Sequence, residues 1–210
     1  MAQNPLDHTN PSIRLRAALE AGSAADPAVA GALVARCAVE PDFFVRDMLT
    51  WALTRLPAGT TVPLLRAELA SPVAQARGQA LHSLSKIGGA EAAAAWSTVL
   101  GLVADPDDEV ARAAWRTVVA LAGGTEDRRS AAPALVAQLG RGDADTRLSL
   151  SRAILGLGDE GAAALESVSA PTDAVREHVA DTIRLLEDPD SGFAGSVHEA
   201  RRVAALGRTE

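Results

Sequence analysis

The sequence predicts an all-α protein: an α-solenoid of about five helix pairs, with a capping helix at each end. Three observations carry that expectation. A helix-forming phrase returns five times, as FVRDMLTWALTRL (44–56), QARGQALHSLSKI (75–87), EVARAAWRTVVAL (109–121), DTRLSLSRAILGL (145–157) and AVREHVADTIRLL (174–186). Each copy spaces apolar residues at the three- and four-residue interval of a helix with one buried face. Aromatic residues are 3% of the chain and Tyr is absent, which suits helices packed closely through Ala, Leu and Val. Self-similarity at a period of 20–50 residues is the signature of units that bury their apolar faces only against their neighbours.

Residues 1–10 are polar and are expected to be a flexible N-terminus. Residues 11–22 read as a shortened copy of the phrase, in which Ile13-Arg14 matches the Val-Arg of later copies; this segment is expected to cap the stack. A helix over 27–38 follows, with Val29, Leu33 and Cys37 on one apolar stripe. From there each unit holds a first helix, A, starting near 60, 90, 127 and 159, and a second, B, carrying the phrase. Leu65, Val99, Leu135 and Leu165 are core residues of the A helices, and Trp96 is assigned to the same core. Turns fall at Ser71-Pro72, Asp105-Pro106, Gly140 to Asp143 and Pro171-Thr172, where short polar side chains cap backbone N–H groups and Pro fits a first turn. Gly88-Gly89, Gly123-Gly124 and Gly158 are placed to end B helices. Asp42, Asp107, Asp108, Asp145 and Asp173 sit at helix starts, where the helix dipole favours acids. The repeat domain is bounded at 11–189, and 190–210 is expected to form a C-terminal capping helix through Phe193, Val197, Val203 and Leu206.

The formal net charge of −7 opposes a general nucleic-acid binder, which carries a basic domain. A single cysteine, Cys37, excludes an internal disulfide and a multi-cysteine metal site. His8, His82, His178 and His198 show no metal-ligand spacing, so neither metal nor cofactor is expected. There is no Gly-rich phosphate loop and no nucleophile elbow. The start lacks the form of a signal peptide and no apolar run reaches membrane-spanning length, so the cytoplasm is the expected location.

The phrase resembles the D-x-x-V-R-x-x-A-x-x-A-L-x-x-L-G signature of HEAT and HEAT-like (phycobilin-lyase-type) repeats. It stands here as Asp42-Phe-Phe-Val45-Arg46, Asp107-Asp-Glu-Val110 and Asp173-Ala-Val175-Arg176. The tetratricopeptide pattern needs Tyr, and the Thr-Pro-Leu-His phrase of ankyrin is absent. The resemblance covers about residues 11–188 and is nearest to short stand-alone bacterial HEAT-like proteins. The Arg column at 46, 77, 111, 147 and 176 advances by 31, 34, 36 and 29 residues, shorter than the roughly 40–47 of longer HEAT units. The resemblance implies a right-handed superhelix whose B helices line the concave side.

Taking Arg46 as position zero, the residues one before and three, seven and ten after it form the core stripe: Val45, Leu49, Leu53, Leu56; Ala76, Ala80, Leu84, Ile87; Val175, Val179, Ile183, Leu186. Columns zero, plus one, plus four and plus five are then expected to line the groove. Column zero reads Arg46, Arg77, Ala111, Arg147, Arg176, with Arg112 one place late. The family uses this Arg in a ladder with Asp of neighbouring turns, and the column is either that ladder or a binding surface. Plus five reads Trp51, His82, Arg116, Arg152, Asp181; plus four reads Thr50, Leu81, Trp115, Ser151, Ala180. Trp51, Trp115, Arg116 and Arg152 would make an aromatic and basic strip beside Asp47, Glu177 and Asp181, with Trp as anchors and Arg as fork donors for an acidic peptide or anionic small molecule. Alternatively the Trp residues plug gaps between helices.

The expected function is a non-catalytic scaffold that binds a protein or peptide through its concave B-helix face. The expected surface comprises Arg46, Asp47, Trp51, Arg77, His82, Arg112, Trp115, Arg116, Arg147, Arg152 and Arg176. A module that senses or sequesters an anionic or aromatic small molecule is the first alternative. The second is a HEAT-like DNA glycosylase, suggested by Asp47 and Trp51 on one helix face and disfavoured by the acidic charge. A bilin-lyase role has no support beyond the repeat.

Overall fold

The computed structural model describes residues 4–169 and 171–188. All regular structure among the described residues is helical. In chain order the α-helices are α1 (Pro11–Ala24), α2 (Ala30–Cys37), α3 (Phe43–Arg55), α4 (Ala58–Glu68), α5 (Ala74–Ile87), α6 (Gly89–Ala93), α7 (Trp96–Gly101), α8 (Asp108–Ala120), α9 (Thr125–Val136), α10 (Ala144–Gly156), α11 (Asp159–Glu166) and α12 (Asp173–Glu187). The five repeated phrases are α3, α5, α8, α10 and α12. The A position between α5 and α8 is divided into α6 and α7.

Helix starts follow local chemistry. Asp42 accepts from the Val45 N–H, Asp107 from Glu109 and Val110, Asp143 from Thr146, and the Thr172 hydroxyl from Val175. Each satisfies backbone donors that the first turn leaves without partners. Gly88 and Gly158 follow α5 and α10 with φ of +59° and +67°, a region that favours glycine.

The chain divides into two compact units, one running to Asp127 and one from Arg128 onward. In the first, α1, α3, α5 and α8 pack in succession, each B helix against the next, while α2, α4 and α7 cover α3, α5 and α8. This is an α-solenoid stack. Leu33, Leu49, Leu53, Leu65, Leu84, Val99 and Val118 fill its core. In the second unit α10 packs against α11 and α12, over a core of Leu150, Ile154, Leu157, Leu165 and Leu185.

Among residues 4–10, Pro5–Asp7 forms a 3-10 turn capped by Asn4, with Leu6 buried. The buried Arg14 guanidinium donates to the His8 and Thr9 carbonyls at 2.8 and 2.9 Å. The core stripe expected in α12 is rotated: Ile183 and Leu186 are exposed, while His178, Thr182 and Leu185 are buried. The reason is a set of polar partners that an apolar stripe does not reveal. His178 Nδ1 accepts the Gly140 N–H at 3.0 Å, so Nε2 carries the proton and donates to the Arg147 carbonyl at 2.9 Å. Ser151 Oγ lies 3.1 Å from Nε2 and 2.7 Å from Thr182 Oγ1. The expected capping helix over 190–210 lies outside the described residues.

Candidate binding groove

An open groove of about 580 Å³ runs over α3, α5 and α8 on the B-helix face of the first unit. Arg46, Asp47, His82 and Arg116, four of the expected site residues, line it together. Phe43, Gln75, Gln79 and Glu109 line it as well. Gly78 is part of the lining, and a Cβ built there meets no atom within 4 Å. The missing side chain thus leaves room in the groove.

The groove contains polar groups that the fold does not satisfy. Arg116 has no ion-pair or hydrogen-bond partner among the described residues, although burial and the like charge of Arg112 one turn away both lower its pKa. Burial, then Lys86 and Arg116, lower the pKa of His82, against a smaller opposing effect of Asp47. The imidazole is therefore neutral at pH 7. Gln79 Oε1 is buried without a donor among the described residues. Phe43 and Phe44 stand exposed at one end, edge to face with ring centroids 5.7 Å apart. The groove thus presents guanidinium donors and carboxylates beside an exposed apolar edge.

The Arg column forms a partial ladder. Arg14 gives Nη1 to two carbonyls of its own turn, and its Nε and Nη2 form a fork on Glu40, both at 2.7 Å. Arg77 repeats this: Nη1 donates to the Ser71 carbonyl, and the fork holds Asp105 at 2.9 and 3.0 Å. These hydrogen bonds raise the pKa of both guanidinium groups. Burial would raise the pKa of Glu40, but Arg14, the Asp42 N–H and Arg36 together outweigh it and hold the group at about 2. Arg46 gives Nη1 to the Glu40 and Pro41 carbonyls at 2.9 and 2.8 Å. Arg77 is therefore a ladder residue, whereas Arg46 faces the groove. At the third level Ala111 is fully buried, and Arg112 pairs with Glu109 at 3.0 Å while its Nε is buried without a partner among the described residues.

The two expected Trp anchors do not line this groove. Trp115 is fully buried, its Nε1–H donating to the Val103 carbonyl at 2.9 Å. The plus-four column belongs to the seams between stacked B helices, as the Thr50–Ser83 contact of 3.4 Å also shows. A B helix inside a stack is covered by its A helix and by B helices on both flanks, which leaves a narrower open strip than two columns either side of the Arg suggest. Trp51 is 37% exposed, and its ring lies over Gly22 of α1, where a Cβ would come within 2.4 Å of it. Trp96, assigned to the core, is half-buried and donates to the Val118 carbonyl at 3.0 Å. Sequence reasoning missed Phe43, Gln75, Gln79 and Glu109. The usable signal was Gly78 in the plus-one column, which opens the neighbouring columns.

Arg147, Arg152 and Arg176 belong to the second unit. There Arg147 Nε is buried without a partner among the described residues, Arg152 is exposed on α10, and Arg176 pairs with Asp173. Cys37 is buried, and burial pushes its thiol up to about 12, which leaves it unreactive at neutral pH. No cluster of three or more His, Cys, Asp or Glu placed to hold a metal occurs among the described residues. No helix among them is long and apolar enough to cross a membrane.

No family model matches the chain, and no curated protein matches it. Among solved structures it is similar to an engineered protein, with 20% identity over 90% of this chain and 94% of the other and a TM-score of 0.49. It is also similar to a designed armadillo repeat protein, at 17% identity over 87% and 97% with a TM-score of 0.48. A third neighbour is human deoxyhypusine hydroxylase in complex with glycerol, at 21% identity over 87% and 71% with a TM-score of 0.41. The assignment of this chain rests on its repeated phrase and on the succession of B helices in its first unit. It is a helical-repeat protein.

Proposed function

We propose that this chain is a non-catalytic scaffold that binds an extended segment of a partner protein in the groove over α3, α5 and α8. The observation that carries this reading is the lining itself. Gly78 leaves room, and beside it the exposed Arg116 guanidinium has no partner among the described residues. A polypeptide in extended form supplies carbonyl acceptors for the Arg116 N–H groups at short intervals. The exposed Phe43–Phe44 edge adds an apolar contact at one end. No nucleic-acid role is proposed: a phosphate backbone needs a continuous track of cations, and Asp47, Asp107 and Glu109 break the groove's cations into isolated positions.

A small-molecule reading has one observation in its favour: about 580 Å³ falls in the range of ligand pockets. Affinity capture from native lysate with wild type and Gly78→Trp separates the two. A protein held by wild type and lost from the variant supports the scaffold. Captures that Gly78→Trp leaves unchanged exclude this groove. A small molecule that raises the Tm of wild type but not of Gly78→Trp, without any captured protein, favours the second reading.

A further inference from the structure

The three Arg rungs of the first unit can be compared atom by atom. In each, Nη1 is used on carbonyls of the turn before its own helix. In two of them Nε and Nη2 are used on a carboxylate from the next turn, Glu40 for Arg14 and Asp105 for Arg77. Both carboxylates stand directly before a Pro and two residues before an N-cap residue, and each accepts that residue's N–H, Glu40 from Asp42 and Asp105 from Asp107. Ser71 occupies the same place for Arg46. It too precedes a Pro, and its Oγ accepts the Val73 N–H at 3.3 Å. A serine hydroxyl satisfies the turn but cannot reach or charge-balance a guanidinium fork. Arg46 Nε and Nη2 accordingly have no partner among the described residues. Unlike Arg14 and Arg77, Arg46 lines the groove, with its guanidinium 6.0 Å from the Phe43 ring centroid.

We infer that Arg46 is a carboxylate receptor: the fork that Glu40 and Asp105 fill at the neighbouring rungs receives an acidic side chain of the bound segment. Arg46 is pre-oriented by its two carbonyl bonds, so a bidentate contact forms with little ordering of the side chain. The inference rests on the groove-binding reading and narrows its partner class to a segment with an Asp or Glu near an apolar residue that meets the Phe43–Phe44 edge.

Restoring the internal carboxylate is the test. Ser71→Glu and Ser71→Asp, the two lengths used at the neighbouring rungs, should fill the fork from within. The probes are an end-blocked (Glu-Ala)4 octapeptide, its (Gln-Ala)4 counterpart and sodium glutarate, titrated at low salt with thermal unfolding as readout. The expected result is that the acidic peptide alone raises the Tm of wild type. Arg46→Gln and the better-folded Ser71 variant then bind it at least tenfold more weakly, while that Ser71 variant without peptide melts about 2–4 °C higher than wild type. Ser71 variants that bind the peptide as wild type does would overturn the proposal, as would a wild type indifferent to it at millimolar concentration. An equal response to glutarate would overturn the peptide source and assign the fork to free carboxylates. A partner lost on Gly78→Trp but indifferent to Arg46→Gln would leave the groove standing and remove Arg46 from it. A partner indifferent to all three changes would remove the groove as well.

Discussion

The α5–α8 seam of the first unit and the α10–α12 seam of the second are built on opposite principles. Beside the α5–α8 seam Leu81, Trp115 and Val118 are all fully buried, and Thr117 Oγ1 shares its proton between the Ala113 carbonyl at 2.7 Å and, across the seam, the Leu81 carbonyl at 3.1 Å. Between α10 and α12 the seam closes on His178, Ser151 and Thr182, a continuous chain of hydrogen bonds. Apolar seams gain stability from the area they bury and are indifferent to pH. A polar seam contributes little net area and depends on every member keeping its proton where the partners need it. Repeats of one sequence phrase therefore differ in what breaks them, and the difference sits in positions that periodicity treats as equivalent.

The largest expected effect is on the apolar side. Trp115→Ala removes a fully buried indole and orphans the Val103 carbonyl, and denaturant unfolding should show a loss of about 3–5 kcal/mol. Close approaches come next. A Cβ at Gly161 would stand 2.0 Å from the Ile154 carbonyl oxygen, and one at Gly22 would stand 2.8 Å from the Ala52 Cα. Gly161→Ala and Gly22→Ala should each cost about 1–3 kcal/mol, the former seen in amide exchange of α10 and α11 and the latter in that of α1 and α3. On the polar side His178→Leu should cost about 1–3 kcal/mol by leaving the Gly140 N–H and the Arg147 carbonyl without their partner.

Acid sharpens the contrast. Burial lowers the pKa of His178 below the ordinary 6.5, partly offset by its bond to the Arg147 carbonyl. The unfolded chain takes up the proton first. The stability His178 contributes is therefore complete above about 6.5 and is lost as pH falls through the lower folded value. Arg147 and Asp181 act on the ring with opposite signs. Glu40, held at about 2 from an ordinary 4.5, contributes stability that is complete above about 4.5 and lost as pH falls toward 2. Amide protection in α10 and α12 should thus weaken at a pH where α1 and α3 are still protected. The three Trp residues all lie in the first unit, so their near-UV signal should follow the lower transition. Coincident loss at both seams would contradict this division. The smallest effect is expected at Gly78→Ala, a gain of about 0.5–1 kcal/mol from helix propensity, because the added methyl meets no neighbouring atom.

Much of the architecture was legible in the sequence, because helix period, caps and Gly stops are local. Asp42, Asp107 and Gly158 act where their residue types say they should. The groove was legible in part. Arg46, Asp47, His82 and Arg116 follow from the Arg register, but Trp115 does not, since its column is closed by neighbouring helices and that closure is a property of the stack. The rotation of α12 was hidden for a related reason. His178 and Thr182 are buried for hydrogen bonds to Gly140, Arg147 and Ser151, partners that no count of apolar residues includes. The open fork of Arg46 becomes visible only when three rungs are compared in space, although Ser71 in place of an acid is its trace in the chain.

The proposed partner lies over Gly78 rather than on the A-helix side. Photo-crosslinking can locate it, with benzoylphenylalanine replacing the exposed Phe43 of the groove in one variant and the exposed Leu64 of α4 in another. One partner should crosslink from position 43 and none from position 64. A partner that crosslinks from 64 and not from 43 would place binding on the A helices and refute the groove.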